Sequence, residues 1–435
     1  MGATRGAPAR PPAWVIIGRL VSLAGQRLLA TLAALWLLWP AAAAVHADVI
    51  PDSTWVALKA LPHQGRSPVF ALAVDPSNHQ SLIAGNSEGS LFRSPDGGTS
   101  WASVHSGKSS LTTVAFSPFK AGLVLAGTGG SGAIASRDGG ATWTPATGLE
   151  GRTVRVFAFS LALVAAGTDH GVYVSPDGFS WTPSGLATHS IGSLAVEAVH
   201  EPVRLVAGSD SSTTGGQLAL FQSLDGGGTW TTFTPPISGD FAVRLVAGPL
   251  PPTGNVRPLV VGTNAGLFQS TDNGTSFTPL SGGQMLPSTD YTQVAFITDH
   301  YDRFYVASDG GGSGAGGLWR TSDSGEHFVS LSPPQLSVTA LAVSNDESPT
   351  IYVAVFEPST HVAALWAYRD TGGIPQGPAA SPSAVASGGR TAGGNSRPGP
   401  FAFLSASQAP YVALGVAAVL LVFAALVSNA RGRRR

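Results

Sequence analysis

The residues of this chain that could carry acid–base chemistry are Glu150, Asp169, Asp240, Asp290 and Tyr291. Two carboxylates at a set separation are what glycoside hydrolysis needs, one as acid and one as base or nucleophile. Cations that could hold an anionic ligand are Arg66, Lys108, Arg152, His189 and Arg244. A guanidinium fork suits a carboxylate because it offers two parallel hydrogen bonds. The chain has no cysteine, which excludes disulfides, thiolate metal sites and cysteine nucleophiles. Its ten histidines are scattered, with no HExxH and no EF-hand loop, so neither a metal nor a cofactor is expected. "GTGGSG" at Gly127 and "GSGAGG" at Gly312 have GxGxxG spacing. Each lies between two strand-like runs, whereas a dinucleotide site needs a strand and then a helix. "GNSEG" at Gly85 fails as a nucleophile elbow for the same reason.

What must position these groups is a repeat. "SPDGGTSW" at Ser94 returns as "SRDGGATW" at Ser136, "SPDGFSW" at Ser175 and "SLDGGGTW" at Ser223. Looser copies are "STDNGTSF" at Ser270 and "TSDSGEHF" at Thr321. The aspartates are Asp96, Asp138, Asp177, Asp225, Asp272 and Asp323, spaced by 42, 39, 48, 47 and 51 residues. A period of that size signals propeller blades or a solenoid. The Asp carboxylate can accept N–H groups two residues on, and the glycine after it can take positive φ. Trp101, Trp143, Trp181 and Trp230 then follow as rings to pack on a sheet. These aspartates and tryptophans therefore read as structural.

Each unit holds four short β-rich runs separated by turn residues, the pattern of a four-stranded antiparallel sheet. The first runs are "ALAV" at Ala71, "TVAF" at Thr113, "VFAF" at Val156, "SLAV" at Ser193, "RLVA" at Arg244, "QVAF" at Gln293 and "ALAV" at Ala340. The seventh unit ends at Asp370 without a fourth strand. Thr54-Trp55 near the other end matches the "TSW" and "ATW" that open fourth strands elsewhere. The N-terminal strand is therefore expected to complete the last blade and close the ring, since closure removes exposed sheet edges. The expected fold is all-β, a seven-bladed propeller over 48–370.

The repeat resembles the Asp-box, or bacterial neuraminidase, repeat over about 50–370. Families that carry it include sialidases, tandem-propeller xyloglucan hydrolases, sortilin-type receptors and photosystem II assembly factors. The resemblance implies that the Asp-boxes lie opposite the working face. That face would be built from inter-blade loops and from the loops joining second to third strands. The first set holds Arg66, Lys108, Glu150, Arg152, His189, Asp240 and Asp290, with His63 and Tyr291 beside them. The second holds Asn86, Glu88, Asp169, His170, Asp210, Asn264, Asp309, Glu357 and His361. Sialidases grip the substrate carboxylate with three arginines. "GRSPVFALAV" at Gly65 is similar to the start of that pattern, with Arg66 and Pro68 in place. Arg152 and Arg244 are the candidates for the other two. No Tyr/Glu nucleophile pair matches, and sialidases have six blades where seven are counted here.

Both ends address a membrane. Residues 1–47 carry Arg5, Arg10, Arg19 and Arg27, no acid, and an apolar run ending in small residues, which reads as a secretory signal cleaved after Ala47. Residues 371–410 are rich in Gly, Pro, Ser and Ala and read as a stalk. Residues 411–428 are uncharged and long enough for one spanning helix. The arginines of 429–435 would hold the C-terminus in the cytoplasm. The ends take eight of the 24 Lys and Arg and none of the 25 Asp and Glu, so the middle is net acidic and a poor match for nucleic acid. The expected function is a membrane-anchored extracytoplasmic propeller that binds a protein or glycan at its channel mouth. A sialidase-like or other surface glycoside hydrolase is the alternative, and an assembly factor for membrane complexes a lesser one.

Overall fold

A computed structural model describes residues 50–372 except 64–66, 199–201, 211–217, 234, 241, 286–289, 299, 311–315 and 358. Arg66 and the expected signal, spanning helix and tail lie outside the described residues, as does the stalk beyond Gly372. Among the described residues the chain forms seven four-stranded antiparallel sheets, the blades of a propeller. Their first strands are Val69–Asp75, Leu111–Phe116, Val154–Phe159, Ile191–Ala198, Ala242–Ala247, Gln293–Ile297 and Val338–Val343. No helix of the described residues is long and apolar enough to cross a membrane.

The repeat turn explains why the same letters recur. Ser94 Oγ donates to Asp96 Oδ1 at 2.8 Å and accepts the N–H of Gly98 at 2.8 Å. Asp96 accepts the Ser100 N–H at 2.8 Å and the Ser100 hydroxyl at 2.6 Å. The N–H it takes is therefore four residues on, not two. Only Asp177, whose turn is one residue shorter, accepts from two residues on, at Phe179. The same bonds return at Asp138, Asp225 and Asp272. Gly97 and Gly98 both take positive φ, and Asn273 and Ser324 carry it in the looser copies. Trp101 and Trp181 are buried, while Trp143 and Trp230 are half-buried against the core.

The core is a ring of seven apolar clusters, one in each seam between neighbouring blades. Close approach of blades sets one residue type in the second strands. A Cβ on Gly127 would lie 2.7 Å from the Val154 carbonyl of the next blade. One on Gly262 would lie 2.5 Å from the Tyr291 carbonyl.

The seventh blade is made from both ends. Its sheet runs Val338–Val343, Thr350–Glu357, Val362–Arg369 and then Trp55–Ala57. Trp55 pairs with Tyr368, Val56 with Ala367 and Ala57 with Trp366. Trp55 is fully buried, and its Nε1 donates to the Leu331 carbonyl of blade six at 2.8 Å. Asp370 sits where the other blades place their turn aspartate, but it faces blade six. It accepts from the Tyr305 hydroxyl at 2.6 Å and pairs with Arg303 at 3.1 Å and with Arg320. Burial raises its pKa, yet the Tyr305 and Gly372 hydrogen bonds and the two arginines outweigh that and hold it below its usual value.

Candidate functional site at the channel mouth

Six of the seven first strands carry a β-bulge at the same place, next to their first residue. The bulged residues are Phe70, Thr112, Arg155, Gly192, Val243 and Thr339. Each immediately precedes one of the apolar runs. In blade six the strand starts at Gln293, and the Thr292 N–H reaches the Ala307 carbonyl at 3.1 Å. A bulge re-aims a side chain that strict alternation would send elsewhere. Here the effect is repeated around the axis. Phe70, Thr112, Arg155, Gly192, Gln293 and Thr339 line one cavity of about 470 Å³, so six of the seven blades contribute to it at this level. Blade five adds Ala242, and the loop after the second strand of blade four adds Asp210.

Two features give this mouth its character. Phe70 stands 44% exposed in it, a large apolar surface with water on one side. Arg155 Nε meets Asp210 Oδ2 at 3.0 Å across blades three and four, with both groups still open to solvent. Arg155 can keep that bond and turn its remaining donors to a ligand. Asp210 is the one carboxylate among the described lining residues.

Of the described loop residues singled out by sequence, only Asp210 lines this mouth. Several are tied to their own or an adjoining loop. Glu150 is exposed and accepts the Gly148 N–H at 2.9 Å, and its own N–H and that of Gly148 hold its carboxyl below the usual range. Asp169 accepts the Thr153 N–H at 3.1 Å and lies 3.4 Å from His170. Asn86 is buried and accepts the N–H groups of Glu88 and Ser90. The Asp240 N–H donates to Asn264 at 2.9 Å. His189 packs edge-on against Phe221, ring centroids 4.7 Å apart. Lys108 is exposed and Arg152 half-buried.

Three candidates sit in other surroundings. Tyr291 is fully buried between blades five and six, against Trp319, and burial pushes its phenol far above the usual range. A ring held there is core, not a nucleophile at the mouth. Asp290 is half-buried, and desolvation first and the charge of Asp309 second push its carboxyl up. Arg244 lines a different cavity, at the other end of the axis. On the exposed turn of blade six, donor atoms of Asp323, Glu326 and His327 lie within 4.8 Å of one another. His327 there bonds Asp323 at 2.8 Å, in place of the hydroxyl that other turns use.

Sequence reasoning missed Phe70, Thr112, Arg155, Gln293 and Thr339. Their signal was the position just before each apolar run, or in blade six its first residue. Varied residues stand there while the run itself repeats.

No family model matches the chain, and no curated protein matches it. Solved structures do. U3-55K aligns with a TM-score of 0.54 and 14% identity over 73% of this chain and 99% of that one. YCF48 bound to a D1 peptide aligns with a TM-score of 0.51 and 17% identity over 74% of this chain and 99% of that one. An ancestral GH74 enzyme aligns with a TM-score of 0.44 and 17% identity over 68% of this chain, which spans 40% of that enzyme. At these identities the likeness is one of fold.

Proposed function

We propose that the chain is a binding or scaffold module that takes a protein or glycan ligand at the channel mouth. The observation that carries this reading is the mouth itself. It is a concave site of about 470 Å³ lined by an exposed aromatic, an ion pair and the four neutral polar residues Ser110, Thr112, Gln293 and Thr339. A concave pocket with a few convergent polar groups is the default form of a binding site. Its lone described carboxylate is already paired with Arg155, which leaves no acid and base set facing each other there. The peptide on the YCF48 propeller makes a peptide segment the ligand to try first. In this reading residues 1–47 export the chain, and 411–428 anchor it with the propeller outside. The 371–410 stalk then holds the mouth away from the bilayer.

The second reading is a surface glycoside hydrolase. One observation favours it. Desolvation first and the charge of Asp309 second raise the pKa of Asp290, and a raised carboxyl is what a general acid needs. The test is one protein and two assays. Soluble 48–372 is screened for turnover on a panel of fluorogenic glycosides that includes a sialoside, and for capture of peptides and glycans on arrays. Capture that disappears with Arg155→Ala, without turnover, supports binding. Turnover that disappears with Asp290→Asn overturns it in favour of the hydrolase.

A further inference from the structure

The far end of the axis holds a second cavity, of about 290 Å³. It lies between the later halves of the first strands of blades three, four and five. Phe119, Phe157, Phe159 and Leu194 give it apolar walls, and two cations, Arg244 and Arg257, enter it. No Asp or Glu is among its described lining residues.

Arg244 is out of place by the standard of the repeat. At the equivalent position, opposite the second-strand glycine or alanine, five blades carry Ala71, Thr113, Val156, Ser193 and Ala340, and blade six carries the uncharged Gln293. Its Nε is shielded from solvent and meets no acceptor. No carboxylate among the described residues pairs with its guanidinium. Burial alone lowers its pKa, and no acid offsets the shift. Arg257 is lowered by burial in the same way, and one of its Nη atoms donates to the Gly248 carbonyl at 3.2 Å. A guanidinium does not escape the penalty by losing its proton. The fold's other enclosed arginines are neutralised: Arg204 pairs with Glu197 at 2.9 Å, and Arg303 and Arg320 share Asp370. Both arginines are half-buried, and a cation drawn out of water without a counter-charge carries part of the penalty of a fully buried one. The pair in this cavity is therefore arranged for an anion that the described residues do not supply. The aromatic walls favour an anion with an apolar body.

We propose that this cavity binds an organic carboxylate with an apolar or aromatic body, its carboxylate on Arg244 and Arg257 and its body against the phenylalanines. The site is separate from the channel mouth and stands whether the mouth binds or hydrolyses. Two sources offer this chemistry, a small free acid and the C-terminal carboxylate of a peptide ending in an apolar residue.

The test is thermal unfolding of the purified full-length chain with phenylacetate, phenylacetamide, sulfate, the tripeptide Ala-Ala-Phe and its C-terminal amide. A ligand that binds only the folded state raises Tm in a saturable way. Phenylacetate or the free tripeptide raises Tm, and the two amides and sulfate do not. A larger shift with the tripeptide assigns the site to a chain terminus, and a larger shift with phenylacetate to a free acid. Arg244→Met raises the Tm of the ligand-free protein, because it removes the unpaired charge, and abolishes the shift. Arg244→Gln, which keeps the polar length, weakens binding at least tenfold. The proposal is overturned if neither acid shifts Tm, if an amide does as well as its acid, or if either Arg244 variant retains the shift.

Discussion

Trp55 and Asp370, from opposite ends of the propeller sequence, hold in blade seven the two places that Trp101 and Asp96 occupy within a single turn. Asp96 and Trp101 are joined by a few residues of chain. Trp55 and Asp370 are joined only through the folded protein, by the pairing of Trp55 with Tyr368 and of the Ser53 N–H with the Arg369 carbonyl at 2.9 Å. The Trp55 and Tyr368 rings lie 5.0 Å apart.

Trp55→Ala should be among the most damaging single changes in the chain. The ring is fully buried and bonded to blade six, and such truncations cost about 3–5 kcal/mol. Urea unfolding measures it. Trp143→Ala, at a half-buried ring, is expected to cost less, and an equal or larger loss there would contradict the closing role of Trp55.

Asp370→Asn should cost about 3–5 kcal/mol, since it strands Arg303 and Arg320 in a buried setting. The double change Asp370→Asn with Arg320→Met should recover part of that loss. A double variant less stable than Asp370→Asn alone would count against the ion cluster.

Acid should loosen the repeat turns in a narrow range. Hydrogen bonds from Thr142, Thr229 and Ser276 hold Asp138, Asp225 and Asp272 at about 2, against 3.8 for the free group. A carboxyl with a lowered folded pKa stabilises fully above its unfolded value and loses that contribution as pH falls. The urea midpoint should therefore fall between about pH 4 and pH 2. With all three changed to Asn, the midpoint at pH 5 should be lower and the fall shallower. An unchanged slope would show that other groups govern acid unfolding.

Arg155→Ala and Asp210→Ala should change stability by less than about 1 kcal/mol, because the pair is solvent-exposed. Each should weaken a ligand bound at the mouth. Titration of the captured peptide or glycan against each variant checks this, and unchanged affinity in both would move the site elsewhere.

Tyr291→Phe should leave any glycosidase turnover intact, since the phenol is buried in the seam between blades five and six. A loss of turnover in a folded Tyr291→Phe protein would require that seam to open.

The blade count and the closing strand were legible because turns recur at a near-constant period and the seventh unit lacks an end that Thr54-Trp55 supplies. Those are local signals. The mouth was not legible in the same way. Polar loop residues looked available, yet Glu150 and Asn86 use their oxygens on their own loops and Asp169 on the adjoining inter-blade loop. Phe70, Thr112, Arg155 and Thr339 enter the lining from bulges, and a bulge depends on pairing register rather than on residue type. Asp370 could be placed at a turn, but its partners Arg303 and Arg320 belong to another blade and leave no mark in its neighbourhood.

The split blade also orders events in time. The strand Trp55–Ala57 is synthesised before every other strand described, and its partner Val362–Arg369 after all of them. Blades one to six can form one after another as the chain emerges. The arc they make leaves the apolar faces of blades one and six uncovered, and the strand Trp55–Ala57 unpaired, until the last blade arrives. Unpaired edges are where chains associate wrongly. The interval between the first strand and the last is the period in which this protein is most exposed to its neighbours.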